Sequence, residues 1–576
     1  MVDLKAWLPI NRKEMQLRKW DELDVIIITG DAYVDHPAFG HAIIGRLIES
    51  HGYKVAILPQ PNWRDDWRDF KKLGKPRLFF GITSGAMDSM VNHYTAFKRL
   101  RSNDAYTAGN VSGFRPDYAV SVYSRIVKQL YPDSLVILGG VEASLRRFTH
   151  YDYWSDCLKP SILVDSNADL LVYGMGEKPI VDILNVFKTK QHPDVNDFFN
   201  IPQIAYLSSA SEKEGIHLHS HENCVNSKKA FAENFKIIET ESNKLRANRL
   251  LQITGNKTLV VNPPSALLSE KEFDNVYELP FTRLPHPTYT KRGEIPAFVM
   301  INCSVNIHRG CFGGCSFCTI SAHQGKFIVN RSENSILKEI EIISKMPYFK
   351  GYISDLGGPS ANMYRMKGID EQLCLKCTRA SCIFPSKCKN LYFNHRPLIS
   401  LYEKAEKIPN IKKISIGSGI RYDMLLDENK EKQNKYGLLE YTNRLIRFHV
   451  SGRLKVAPEH TEDHVLKSMR KPSFDYFLSF KKVFDSINQT HQLNQQLIPY
   501  FISSHPACRL EDMHNLHKKI KKLNYKLEQV QDFTPTPLTL SSVIFYTGLN
   551  PYSGEKIFSE TAIDKKRQQN QYFFKK

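Results

Sequence analysis

Residues 309–318 read Arg309-Gly310-Cys311-Phe312-Gly313-Gly314-Cys315-Ser316-Phe317-Cys318. Three thiols, separated by three and then two residues, share a loop with three glycines. Glycine lets a backbone curl closely around a bound group, so the three sulfurs can converge on one inorganic centre. An iron–sulfur cubane normally takes four protein thiolates. A loop that offers three leaves one iron open to an outside ligand. Zinc is the competing reading, but the paired Cys/His partners of a zinc finger are missing within the loop.

Outward from this loop, short β-rich runs alternate with helical stretches. Downstream, strands are expected at residues 297–301, 351–354, 411–416, 454–457, 496–501 and 527–533. With helices between them, residues 297–550 suit a partial β/α barrel, whose active site lies at the carboxyl ends of its strands. Upstream, strands are expected at residues 25–28, 54–58, 77–81, 135–138 and 169–172, with a helix at Gly40–Ser50. Apolar runs of this kind argue for a parallel sheet covered on both faces. The fold class is therefore α/β: a Rossmann-like domain over 1–195, a connector over 196–296 with a helix near 228–242, a strand at 258–261 and a Pro-rich stretch, then the barrel, and a basic tail over 551–576. Glycine-rich turns such as Thr29-Gly30-Asp31, Gly139-Gly140 and Gly174-Met175-Gly176-Glu177 fall where ligands sit in such sheets. None is a dinucleotide fingerprint: Pro179 and Tyr422 stand where Gly174-x-Gly176 and Gly417-x-Gly419 need a third glycine.

Cys-x3-Cys-x-aromatic-Cys, with Phe317 as the aromatic, resembles the signature of radical S-adenosylmethionine (SAM) enzymes. The resemblance implies a [4Fe–4S] cluster on Cys311, Cys315 and Cys318, with SAM chelated at the open iron. It further implies an electron donor such as flavodoxin or ferredoxin. Asp355-Leu356-Gly357-Gly358-Pro359 resembles the glycine pair that receives the SAM amino group, which makes Phe317, Asp355, Gly357 and Gly358 candidate cofactor contacts. The segment from Leu454 to His460 resembles the fourth-strand region of the methylthiotransferase-like branch, with Glu459 as a candidate polar contact to SAM. Gly30-Asp31-Ala32-Tyr33-Val34-Asp35-His36-Pro37, Gly139-Gly140-Val141-Glu142-Ala143-Ser144-Leu145-Arg146-Arg147 and Ala457-Pro458-Glu459-His460-Thr461 resemble the YgiQ-type radical SAM proteins over nearly the whole chain. That resemblance implies radical chemistry on a substrate it does not identify.

A second cysteine group, Cys374-x2-Cys377-x4-Cys382-x5-Cys388, places four thiols in a loop expected at 370–392. Such a loop has little core of its own, and zinc or a second iron–sulfur cluster would staple it. Cys157, Cys224, Cys303 and Cys508 stand alone and read as structural thiols. An α/β domain ahead of a radical SAM barrel also resembles the cobalamin-binding branch, although the Asp-x-His-x-x-Gly ligand motif is missing at Asp35-His36-Pro37. No apolar run is long enough to cross a bilayer, residues 1–13 lack a secretory apolar stretch, and a cytoplasmic protein is expected. The net charge of +19 favours polyanions. The alternative is accordingly a basic nucleic-acid-binding metalloprotein with structural metal sites and no radical chemistry.

Overall fold

The computed structural model describes residues 3–190, 192–209, 214–525 and 527–574. They form two compact units. The first runs from the N-terminus to Leu268 with Asn275–Asn302 and Thr536–Leu538. The second comprises Ser269–Asp274, Cys303–Pro535 and the chain from Thr539 onward.

The first unit is organised by β1 (Val25–Thr29), whose five residues Val-Ile-Ile-Ile-Thr are all buried. A strand that is apolar on both faces can only lie inside a covered sheet. It pairs in parallel with β2 (Val55–Pro59) on one side and β3 (Phe79–Thr83) on the other. The sheet continues through β4 (Leu135–Leu138), with a separate hairpin of β5 (His150–Asp152) and β6 (Cys157–Lys159), and then β7 (Leu170–Val172). The helix at Gly40–Ser50 presents Ala42, Ile43, Leu47 and Ile48 inward, so the expected doubly covered α/β sheet is present.

The segment expected as a connector extends this sheet. It supplies β8 (Ile204–Ser208), β9 (Ile216–His217), β10 (Leu250–Thr254) and β11 (Lys257–Val261), completing the order β2-β1-β3-β4-β7-β8-β11-β10-β9. Apart from Pro202, its prolines lie beyond β11, so none interrupts the hairpin of β10 and β11.

Residues 297–301, expected as the first barrel strand, form a helix at Pro296–Ile301 instead. Proline at the first helical position presets φ and loses no hydrogen bond. Burial follows the helical period: Ala297 and Phe298 are 4% and 9% exposed, Val299 and Met300 47% and 69%. A short apolar run carries no periodicity of its own that separates the two outcomes.

The second unit begins its sheet at β12 (Ser304–Asn306), followed by β13 (His308–Arg309) and β14 (Val329–Asn330). A broken strand follows, β15 (Tyr352–Ile353) and β16 (Asp355–Gly357), then a hairpin of β17 (Lys367–Gly368) and β18 (Leu391–Tyr392), and β19 (Lys413–Ile414). β20 (Arg453–Glu459), β21 (Gln496–Ser503) and β22 (Gln529–Asp532) form a parallel trio. Parallel pairs β12·β16 and β15·β19 precede this trio, with helices such as Glu333–Ser344 and Phe474–Thr490 between strands. This is the partial β/α barrel. The stretch expected as a basic tail carries a helix, Ile563–Gln571, rather than trailing free. Its Lys566 is buried, donating to the Phe533 carbonyl at 3.1 Å, and Asn570 donates to Asp532.

Burial also fixes how the fold answers to acid. It pushes His41 and His395 down from 6.5 to about 3, and His449 to about 4. A histidine held neutral in the fold contributes stability that is full above its unfolded value and is lost as pH falls toward the folded one. Each withholds up to about 1.4 kcal/mol per pH unit below 6.5. The urea midpoint is therefore expected to drop between pH 6.5 and 4.5, and a flat or rising profile would contradict this.

Candidate metal centre

The hairpin of β13 and β14 closes the cysteine loop, with His308 opposite Asn330 and Arg309 opposite Val329. Inside it, the Gly310 amide donates to Gln324 Oε1 at 3.1 Å and the Cys311 amide to the Gly325 carbonyl at 3.1 Å. Ser321 Oγ donates to the Cys311 carbonyl. Gly314 sits at φ +62°, and a methyl there would collide with the Ala380 carbonyl oxygen. Gly325, at φ +86°, faces open space. Both positions therefore charge an L-residue about 1–2 kcal/mol of left-handed strain, but only Gly314 adds a backbone clash. Gly314→Ala is expected to lower the urea midpoint and the iron bound per chain well below Gly325→Ala. Equal effects would show that the Ala380 contact does not shape the loop.

A methyl at Gly313 would meet both Cys311 Sγ and the Arg421 guanidinium that contacts Cys315, and Cys318 lies within electrostatic reach of both other thiols, so the three sulfurs border one space. Burial, then the neighbouring Cys315, push the Cys311 thiol up, while Arg421 and Lys471 oppose that. Burial pushes Cys318 up to about 12. Arg421 was not singled out by sequence reasoning. The residue is 8% exposed, and its guanidinium donates to Cys315 Sγ at 3.5 Å and is held by Asp423 at 2.9 and 2.7 Å. The only sequence signal for it was the Gly417-Ser418-Gly419 turn just upstream. Among the described residues, no three Cys, His, Asp or Glu side chains close around one point as tightly as a single ion requires. A cubane presents its irons at the corners of a larger body. Three thiols facing one space, with two buried cations nearby and glycines where side chains would intrude, fit that group.

The other expected contacts divide. Glu459 ends β20 at φ +70°, beside a bulge where the register with β21 slips. Such strain persists only where the surrounding structure imposes it. Burial raises its pKa; Lys471, 3.6 Å away, opposes that, and its charge acts on Cys318. Phe317 meets His505 edge-to-face at 5.9 Å, and His505 Nε2 lies 2.7 Å from Ser541 Oγ, which donates to Ser316 Oγ. Asp355 is already engaged: its carboxylate accepts from the Gly417 and Ser418 amides and the Ser418 hydroxyl at 2.8–3.0 Å. It builds the 417–418 turn. A methyl at Gly357 would strike Ser418 Oγ, and one at Gly358 would strike the His308 ring. Both glycines are therefore required by close packing. Cys374, Cys377, Cys382 and Cys388 lie on a separate loop joining β17 to β18. Cys508 is buried, with its sulfur 3.5 Å from His460 Nε2 and 3.4 Å from Gln569 Oε1.

The Radical SAM N-terminal family matches residues 7–304. A UPF0313 protein of Bacteroides thetaiotaomicron is 58% identical over 99% of this chain and 94% of its own length. One of Porphyromonas gingivalis is 55% identical over 99% and 90%. A solved structure of the cobalamin-dependent SAM radical enzyme OxsB, with aqua-cobalamin bound, shares the fold at TM-score 0.51 and 11% identity. That match covers 97% of this chain and 57% of OxsB. Among the described residues no helix is long and apolar enough to cross a membrane. With the cysteine loop and its buried cations, these matches lead to one conclusion: the chain belongs to the Radical SAM N-terminal family alongside the UPF0313 proteins and is a radical SAM enzyme.

Proposed function

We propose that the chain holds a [4Fe–4S] cluster on Cys311, Cys315 and Cys318, cleaves SAM reductively, and modifies a substrate with the radical released. The observation that carries this reading is the three-thiol loop with Arg421 and Lys471 buried close by. Thiolates and a cluster bring negative charge into a buried site, and fixed cations offset it. When bound, the reduced cluster supplies the electron that splits the sulfonium and yields a 5′-deoxyadenosyl radical.

The protein's own groups do the rest. Gly357 and Gly358 keep the end of β16 free of side chains. Asp355 orders the turn that leads to Arg421. Glu459 offers a buried carboxylate for the SAM amino group. Phe317 and His505 form an apolar wall that keeps water from the reacting centre, and burial keeps His505 neutral, near 3. The electron donor is a low-potential carrier such as flavodoxin or ferredoxin, and the compartment is the reducing cytoplasm, which suits eleven unpaired cysteines.

Cobalamin stays outside this reading. Ligands in such sheets bind where the strand order reverses, here between β1 and β3. In the first unit the buried Arg115 fills that place, donating to Asp31 and Asp104 at 2.9 and 3.0 Å and to the Ser84 carbonyl at 2.9 Å. A corrinoid spectrum retained after reconstitution would reverse this.

The test is an anaerobic assay of the reconstituted, reduced protein with SAM, run with and without cellular RNA and small-molecule pools. Release of 5′-deoxyadenosine is expected. No release from cluster-loaded protein, together with RNA binding that falls steeply with salt, would favour the nucleic-acid reading that the charge suggests.

A further inference from the structure

Lys326 follows the cysteine loop and is 2% exposed. Its ammonium donates to the Arg379 carbonyl at 2.7 Å and to Cys377 Sγ at 3.5 Å. Among the described residues no carboxylate lies within ion-pair distance of it. A buried ammonium without a countercharge is costly, and a lysine is almost never fully buried unless paired. The negative charge that Lys326 faces must come from elsewhere.

The loop between β17 and β18 supplies the candidates. Besides Cys377, the thiols of Cys374 and Cys382 lie within electrostatic reach of the Lys326 ammonium, and Cys388 lies within reach of both. Asn390 Nδ2 sits 3.5 Å from Cys374 Sγ. A methyl at Gly368 would strike that same sulfur, so the hairpin is shaped to admit it. The chain is also folded back on itself here: the Cys377 amide donates to the Cys374 carbonyl at 3.3 Å and the Cys388 amide to the Cys382 carbonyl at 2.7 Å. Four neutral thiols give a buried cation little reason to be there. Four thiolates on an iron–sulfur cluster carry net negative charge, and each ligating thiol gives its proton to solvent.

We infer that Cys374, Cys377, Cys382 and Cys388 hold a second iron–sulfur cluster, with the buried Lys326 as its fixed counter-ion; the four thiols are not drawn in tightly enough for a single ion. This centre shares a wall with the first loop. The Cys382 amide donates to the Phe312 carbonyl at 3.0 Å, and Cys311, Cys382 and Cys388 all pack against one apolar cluster that includes Phe312 and Ile383. Lys326 is a positioning residue: it touches ligand sulfur and sets the charge around the metal.

The inference stands apart from SAM cleavage, and its test is separable. A Cys311→Ala/Cys315→Ala/Cys318→Ala variant removes the first centre. After anaerobic loading with ferrous iron and sulfide, it is expected to retain about four irons per chain. Adding Cys374→Ala and Cys377→Ala should abolish that retention. Retained iron with a cubane absorption band supports the proposed site, and retention of no iron, or of iron without that band, overturns it. Should the triple variant fail to fold, native wild-type protein decides. Cys374, Cys377, Cys382 and Cys388 should resist alkylation until a chelator is added, and ready alkylation of all four in metal-loaded protein overturns the site. Lys326→Met should release metal to chelator roughly 10–100-fold more readily, as loss of an outer partner does elsewhere, with Lys326→Arg restoring retention. Equal retention by all three proteins would remove Lys326 from the centre.

Discussion

Cys315→Ala is expected to abolish 5′-deoxyadenosine release from SAM while leaving the fold intact. The middle thiol of the loop is the one that Arg421 contacts, at 3.5 Å, so its removal deletes a cluster ligand while Asp423 still holds the guanidinium. Loss of a mere supporting partner at metal sites costs roughly 10–100-fold, and loss of a ligand must exceed that. The fold should survive because the loop is braced by backbone hydrogen bonds from Cys311 to Gly325 and from Ser316 to Met469, which the substitution leaves in place. The readouts are nucleoside release, iron per chain and the far-ultraviolet circular dichroism spectrum. Release within a few-fold of wild type would remove Cys315 from the cluster. Lost release in an unfolded chain would assign it a structural role instead.

Arg421→Met is the second large effect. Asp423 is 7% exposed and Arg421 is its partner, so the substitution leaves a buried carboxylate uncompensated. Breaking one side of a buried ion pair costs about 3–5 kcal/mol. Pairing it with Asp423→Leu removes both charges and should recover most of that loss, as replacement of buried pairs by apolar groups commonly does. Function separates from stability in the same pair of variants. Arg421 places a positive charge against Cys315, which favours adding an electron to a cluster there. Arg421→Met alone should therefore show a lower reduction potential than wild type, and the double variant, which has also lost the Asp423 charge, should shift less. A wild-type potential in cluster-loaded Arg421→Met would leave Arg421 with a packing role alone.

The doubly covered sheet was legible because β1 is apolar on both faces, and that reading needs only five consecutive residues. The helix at Gly40–Ser50 was legible for a similar reason, since its apolar period lies within one segment. Residues 297–301 were misread because a five-residue apolar run satisfies either state. Pro296 decided for the helix, together with burial that only neighbouring elements could provide. Within 196–296 the apolar end of β11 was legible at 258–261, whereas β8, β9 and β10 were not, because Gln252 and Thr254 in β10 and Tyr206 and Ser208 in β8 break the apolar run that marked β1.

The chemistry divides along the same line. Cys311, Cys315 and Cys318 declare themselves through spacing, as do the four thiols from Cys374 to Cys388, because a loop that must wrap a metal carries its ligands close together in the chain. The charges that surround those sulfurs do not. Arg421 is 106 residues from Cys315, Lys326 is 51 from Cys377, and Glu459 lies beyond both loops on β20. Nothing local distinguishes such an arginine or lysine from the many on the surface of a chain with 79 basic residues. Their meaning arises from burial, since a cation taken out of water requires a countercharge, and burial is a property of the folded chain.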